Sequence, residues 1–188
     1  MQLLAAWLGA ARDAGEPLPD AMTLATVTQD GWPSARLVML RGLDQGLVFF
    51  TDGESDKGVE LAAQPRAAVV LHWLAPEHRQ VRVVGHVEPV TGRESDDYWR
   101  TRRQEARRSA AASVQSQVVP SRSVLEQRVS DLAERYPDGV ELSRPDRWTG
   151  YRILPTSVEF WQEAPDGLHD RFRYRRSSGS WDVARLSP

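Results

Sequence analysis

The chain has no cysteine among its 188 residues. That removes disulfides, thiolate metal sites and thiol catalysis together. A reducing cytoplasm is the natural reading, and zero cysteines fits any compartment. No apolar run is long enough to span a bilayer. The opening MQLLAAWLGAARDAG lacks a basic leader region and carries Arg12 and Asp13. It reads as an amphipathic helix with Leu3, Leu4, Trp7, Leu8 and Ala11 on one stripe, and not as a signal peptide. Charge of either sign is not in excess: the net value is −2, so bulk charge points to neither nucleic acid nor a membrane. Motifs are missing too. His72, His78, His86 and His169 do not pair at helical ligand spacing and there is no HExxH, so no metal site is expected. There is no GxSxG elbow, and neither a GxGxxG nor the strand–helix alternation of a parallel dinucleotide-binding sheet.

What is present is an ordinary soluble composition with one surplus. Hydrophobic residues make up 40%, enough for a real core, while seven Trp is high. Trp serves interfaces and flat ligands well. Residues 1–188 read as one domain of class α+β: an antiparallel split β-barrel with flanking helices. A helix over 1–14 precedes barrel strands over about 22–90, a helical segment over about 92–136 and C-terminal strands over about 149–186. The helical segment TGRESDDYWRTRRQEARR opens on a capping box, Thr91 with Glu94, and continues from there without Pro or Gly as one helix. SAAASVQSQVVPSRS reads as a loop. SVLEQRVSDLAERY reads as a second helix capped by Ser123 with Glu126. TGYRILP, SVEFWQEA, RFRYRR and SWDVARL read as separate strands.

Three places gather groups suited to anions, and each has a plainer alternative. RTRRQEARR is either a solvated helix face or, through Tyr98 and Arg102 four residues apart, a phenol–guanidinium clamp for a phosphate. Arg36 and Arg41 flank an apolar strand and either reach solvent or meet an anion. Thr51, Ser55 and Lys57 surround a turn entering a helix, which is either an ordinary N-terminus capped by Ser55 or an anion nest. Near the end, WQEAPDGLHDRFRY crowds Trp161, His169, Asp170 and Arg171 around a turn.

These fragments together resemble the pyridoxamine/pyridoxine 5′-phosphate oxidase family. AMTLATVTQDGWPSARLVMLRGLDQGLVFFTDGESDKG, RQVRVVGHVEPV, VQS, GYRI, VEFWQ and LHDRFRY occur in the family's order and spacing, over nearly the whole chain. The resemblance implies an FMN-binding split barrel, a cytoplasmic homodimer with FMN at the subunit interface. It implies FMN contacts from Arg36, Leu37, Val38, Met39 and Arg41, from Phe50, Thr51 and Ser55, and from Lys57 on the phosphate. Gln80 would meet the ring edge, Gln115 and Ser116 would come from the partner's loop, and Trp161 and Arg171 from the C-terminal hairpin. Arg41, Tyr98, Arg102, Gly167 and His169 would face a small anionic heteroaromatic substrate, with His169 orienting its reacting C4′ end. A hydride would pass to FMN, O2 would reoxidise the flavin to give H2O2, and pyridoxal 5′-phosphate would result. The chain departs from the family at Asp56, where a phosphate-binding Arg is usual, at Ala106 in place of Ser, and at Gly167 in place of Arg. It also begins at the first helix, without the family's N-terminal extension. The alternatives are a relative oxidising another planar anionic heteroaromatic, as phenazine-biosynthesis oxidases do, and a flavin- or deazaflavin-binding split barrel without turnover.

Overall fold

A computed structural model describes all of residues 1–188. The chain runs through α1 (Gln2–Asp13), β1 (Ala21–Val27), β2 (Pro33–Met39), β3 (Gly42–Leu43), β4 (Leu47–Asp52), α2 (Asp56–Ala63), β5 (Arg66–Trp73) and β6 (Arg79–Pro89). Three helices follow, α3 (Gly92–Thr101), α4 (Gln104–Ala112) and α5 (Arg122–Arg135), and then β7 (Trp148–Gln162), β8 (Asp170–Ser177) and β9 (Ser180–Arg185).

All strand pairs are antiparallel, in the order β2-β1-β5-β6-β7-β4-β3, with β8 and β9 extending from β7. The expected antiparallel split barrel with flanking helices is what forms. Its cause is visible in the two-residue period: β5 sends Ala67, Val69, Leu71 and Trp73 inward, and β1 and β6 meet them with Met22, Leu24, Val81 and Val83. Leu4, Leu8 and Ala11 of α1 close this core, while Trp7 packs edge-on against Phe160 at 5.1 Å. Leu3 falls outside the stripe and is 42% exposed, because it lies one residue off the 4-8-11 line.

β7 divides the sheet. One side of it carries β6 along Tyr151–Gln162; the other carries β4 along Trp148–Ile153 and β8 along Ser157–Gln162. Pro155 sits at the changeover, opposite Gly85 and a register shift between Val84 and Gly85. Proline gives no ladder hydrogen bond, so it suits a bulge. A side chain at Gly85 would run into the backbone of Leu154. The two strands expected around Pro155 are therefore one.

The helical segment also departs from expectation. The single helix expected after Thr91 breaks at Arg102 and Arg103, both extended, at ψ 143° and 149°. The Arg102 guanidinium lies 5.0 Å from the Trp148 ring centroid and donates to the Ala106 carbonyl at 2.9 Å. That tertiary contact outweighs the local helix preference. α4 then continues through the alanines expected to be loop. α5 begins earlier than expected, with Ser121 at its N-cap, and Ser123 spends its hydroxyl on Ser121 at 2.7 Å.

The capping box is present: Glu94 N–H donates to Thr91 Oγ1 at 3.2 Å and Thr91 N–H to the Glu94 carboxylate at 2.8 Å. Arg152 donates to Glu94 at 2.6 Å and to Asp44 at 2.8 Å. The Arg152 hydrogen bond, then the Thr91 ones, hold the Glu94 carboxyl at about 2 against an ordinary 4.5. A carboxyl depressed in the fold stabilises it fully above the ordinary value and loses that contribution as pH falls towards 2. Glu94→Gln should therefore flatten the fall of the urea midpoint with pH across this window. Identical slopes for both proteins would refute the coupling.

Candidate active site

β2, β4, α3 and α4 enclose an open cleft of about 790 Å³. Its floor is aromatic. Phe50 stacks on Tyr98 at 4.1 Å and on Trp148 at 5.3 Å, with interplanar angles of 9° and 7°. Gly150 permits this packing, since a side chain there would come within 2.6 Å of the Phe50 ring. Arg41, Lys57, Arg102 and Arg103 line the cleft, and no carboxylate does. Arg41 and Arg103 have no side-chain hydrogen bond or ion pair. Arg102 is half-buried, and burial lowers its pKa, opposed by Tyr98 and assisted by Arg41. The break after α3 thus brings Tyr98 and Arg102 to one cleft, though not by helical periodicity.

At one end of the cleft the turn into α2 forms a nest. Lys57 Nζ donates to Gln115 Oε1 at 2.8 Å, Ser55 Oγ at 3.0 Å and Thr51 Oγ1 at 3.2 Å. Burial lowers the Lys57 pKa, and the nearby Arg36 guanidinium adds to it, against Asp52, Asp56 and Glu60. Ser55 is fully buried and donates to the Asp52 carbonyl at 2.6 Å. It does not cap α2; Ser116 Oγ does part of that work, accepting from Asp56 N–H at 3.1 Å. Ser116 adopts φ 68°, which turns the loop back over the helix. Gln115 and Ser116, expected from a partner's loop, here bond to Lys57 and Asp56 of their own chain. The Asp56 side chain is exposed, makes no hydrogen bond and stays out of the cleft.

Leu37, Val38, Met39, Phe50, Thr51 and Ala106 also line the cleft. Arg36 does not. It pairs with buried Glu60 at 2.9 Å and donates to Ser34 and Thr26. Burial pushes the Glu60 carboxyl up, but hydrogen bonds from Thr26 and Arg36 outweigh it and hold the group below its ordinary pKa.

The remaining expected residues form a second group. Gln80, Trp161 and Arg171 are direct neighbours across β6, β7 and β8. His169 lies 4.9 Å from the Trp161 ring and accepts from Ala164 N–H at 3.1 Å. Arg171 forks onto Glu159 at 2.7 and 2.9 Å. Gly167, at φ 78°, closes the turn by donating to the Ala164 carbonyl at 3.0 Å. None of these residues lines the cleft. They stand at the opposite end of β7 from Trp148, roughly 40 Å of extended strand away.

Some residues escaped the sequence reading. Trp148 and Ser109 line the cleft; the surplus of Trp was the only hint of the first. His72 and His78, separated by the β5–β6 turn, meet with their Nε2 atoms 2.7 Å apart, and His78 Nδ1 lies 3.1 Å from Glu163. Asp52 and Arg147 form a buried pair at 2.9 Å.

Comparison with known proteins gives the family context. Residues 10–136 match the pyridoxamine 5′-phosphate oxidase family, and residues 148–188 match the pyridoxine 5′-phosphate oxidase C-terminal dimerisation region. The pyridoxine/pyridoxamine 5′-phosphate oxidase of Cupriavidus pinatubonensis is 52% identical over 97% of this chain and 85% of its own. The protein of the same name from Salinibacter ruber is 48% identical over 97% and 86%. Among solved structures, PhzG from Burkholderia lata 383, in complex with tetrahydrophenazine-1-carboxylic acid, superposes with a TM-score of 0.94 at 34% identity, covering 100% of this chain and 91% of that one. An FMN-binding protein from Nostoc punctiforme shares the fold, with a TM-score of 0.79 at 20% identity over 100% and 96%.

Proposed function

The chain belongs to the pyridoxamine 5′-phosphate oxidase family of FMN-dependent oxidoreductases, and from that premise we propose that it oxidises pyridoxamine or pyridoxine 5′-phosphate as a homodimer holding FMN between its copies. The observation that carries this reading is the cleft itself: four cations and no carboxylate beside a stack of parallel rings. Such a donor set fits a flat molecule that carries phosphate. Lys57 and Thr51 would hold the FMN phosphate in the nest, with Ser55 buried behind them as an acceptor for Lys57. Arg41, Tyr98 and Arg102 would hold the substrate phosphate. Gln80, Trp161, His169 and Arg171 would complete the site from the other copy, because one small molecule cannot reach both groups within a chain.

FMN bound there would supply the hydride acceptor for oxidation at the substrate's C4′, with O2 as the terminal oxidant reduced to H2O2. The protein's part is alignment and charge neutralisation. Arg41 and Arg102 fix one end of the substrate. His169 would orient the polar C4′ end, its Nδ1 held by Ala164 N–H so that Nε2 carries the proton it can donate.

A second reading, oxidation of a dihydrophenazine carboxylate, is favoured by the likeness to PhzG and by Ala106 and Gly167, which offer no polar side chain where the family has one. The test is peroxide production by the purified yellow protein with pyridoxamine phosphate, pyridoxine phosphate and a dihydrophenazine carboxylate. Turnover of neither vitamer sinks the first reading, and a colourless protein that cannot be reconstituted with FMN sinks both.

Gly167 gives a separate test. Nothing stands within 4 Å of a side chain built there, but its φ of +78° strains any L residue. Gly167→Arg should lose about 1–2 kcal/mol of stability. It should also raise kcat/KM for pyridoxamine phosphate relative to the phenazine substrate. An unchanged ratio would mean that this position does not set substrate choice.

A further inference from the structure

We propose that Arg147 is a positioning residue for the anion nest, acting through buried Asp52 and the last turn of α4. The proposal rests on the reading of Lys57 as the ammonium that meets the FMN phosphate. Asp52 ends β4, Trp148 begins β7, and the two are paired across the sheet. Arg147 therefore stands beside the turn that leads into α2. Its Nε donates to Asp52 Oδ2 at 2.9 Å, and the two side chains are only 18% and 3% exposed. Its Nη2 donates to the carbonyls of Ala111 at 2.8 Å, Ala110 at 3.2 Å and Ser113 at 3.3 Å.

Carbonyls in the last turn of a helix lack intrahelical partners and carry the negative end of its dipole. A guanidinium satisfies both at once, and its planar fork reaches a carboxylate in the same plane. Asp52 in turn accepts from Gln115 N–H at 3.4 Å with Oδ2 and from Glu54 N–H at 2.9 Å with Oδ1. One charge pair thus fixes two things. It sets where α4 ends, and hence where Gln115 is delivered onto Lys57. It also sets the turn from which Ser55 and Lys57 project. Past Ser113, the other hydrogen bonds that hold the loop to β4 and α2 are those of the Gln115 and Ser116 side chains to Thr51, Lys57 and Asp56. Loosening the fork should spoil the nest while leaving the aromatic floor, built on β4, α3 and β7, in place.

The experiment compares FMN with riboflavin, which has the same ring and no phosphate, by fluorescence titration of the apo-homodimer. Arg147→Leu alone would strand the Asp52 charge, so it is combined with Asp52→Asn, whose single side-chain oxygen keeps an acceptor for Glu54 N–H. The double variant should bind FMN at least about tenfold more weakly, with riboflavin affinity within about twofold of the parent. Arg147→Lys should recover part of the loss, since an ammonium reaches Asp52 but cannot fork to the carbonyls. Equal losses for both ligands would reduce Arg147 to a general structural role and overturn the proposal, as would an unchanged FMN affinity. Lys57→Ala is measured in parallel. If it leaves the preference for FMN over riboflavin intact, the nest is misread; if it removes that preference while the Arg147 variants do not, only the role of Arg147 falls.

Discussion

Arg102→Ala should raise KM for a phosphorylated substrate by about 10- to 150-fold while kcat stays within about threefold, because a charge-assisted hydrogen bond is worth about 1.5–3 kcal/mol. The location of the side chain dictates the direction. Arg102 lies at the break between α3 and α4, with its guanidinium over Trp148 and Trp99 and one nitrogen on the Ala106 carbonyl. Those partners are neutral, so its charge is uncompensated in the half-buried cleft. Arg41, close enough to lower its pKa further, adds a second unpaired cation. An anion entering between them relieves that repulsion. The contact is made equally in the ground and transition states, so its loss appears in KM. Arg102→Lys should recover part of the effect, since it keeps the charge and loses the fork. Unphosphorylated pyridoxamine serves as the control, and its KM should not change. If both substrates weaken together, Arg102 supports the α3–α4 joint and does not read the phosphate.

The barrel was legible because its signal is local. Alternation in AAVVLHW and RQVRVVG is a two-residue period that one buried face imposes on a strand, and Thr91 with Glu94 marks a helix start by hydrogen bonds three residues apart. The misreadings arose where a distant contact overrode the local preference. RTRRQ is good helix sequence, yet Trp148, nearly fifty residues on, draws Arg102 out of the helix. Pro155 reads as a strand end, yet the bulge at Gly85 gives it a place needing no donor. The site shows the same division. Lys57 with Thr51 and Ser55 could be seen as a nest because they share one turn. Arg147 carries no such local signal, since only the β4–β7 pairing brings it to Asp52. The gap between the cleft and the Trp161 group was equally hidden. Family resemblance assigns both groups to one ligand, but the length of β7 separates them within a chain, and this is the physical reason to place a second copy in the site.

Lys57→Ala should weaken FMN binding by about 10- to 150-fold, the worth of one charged hydrogen bond, and leave riboflavin binding unchanged. The wild-type protein should then reproduce the variant's weakness at alkaline pH. Thr51, Ser55 and Gln115 surround Nζ with neutral acceptors, and no carboxylate pairs with it. Burial, followed by the Arg36 charge, lowers its pKa below the ordinary 10.5, with Asp52, Asp56 and Glu60 only partly opposing. The sign follows. Binding of the phosphate needs the ammonium, so affinity is full below the lowered pKa and is lost as pH rises through it. The ligand itself does not confound the profile, since a phosphate monoester is already a dianion above a second pKa of about 6. A bound dianion favours the protonated amine, so release from the holo-protein should come at higher pH than failure of the apo-protein to load. The measurement is the FMN dissociation constant from pH 7 upwards, for wild type and Lys57→Ala, with riboflavin as the control for alkaline loosening of the fold. The wild-type curve should begin to rise towards that of Lys57→Ala below pH 10.5, the ordinary amine value. Parallel curves, or a riboflavin constant that rises in step, would mean that the proton being lost is not on Lys57.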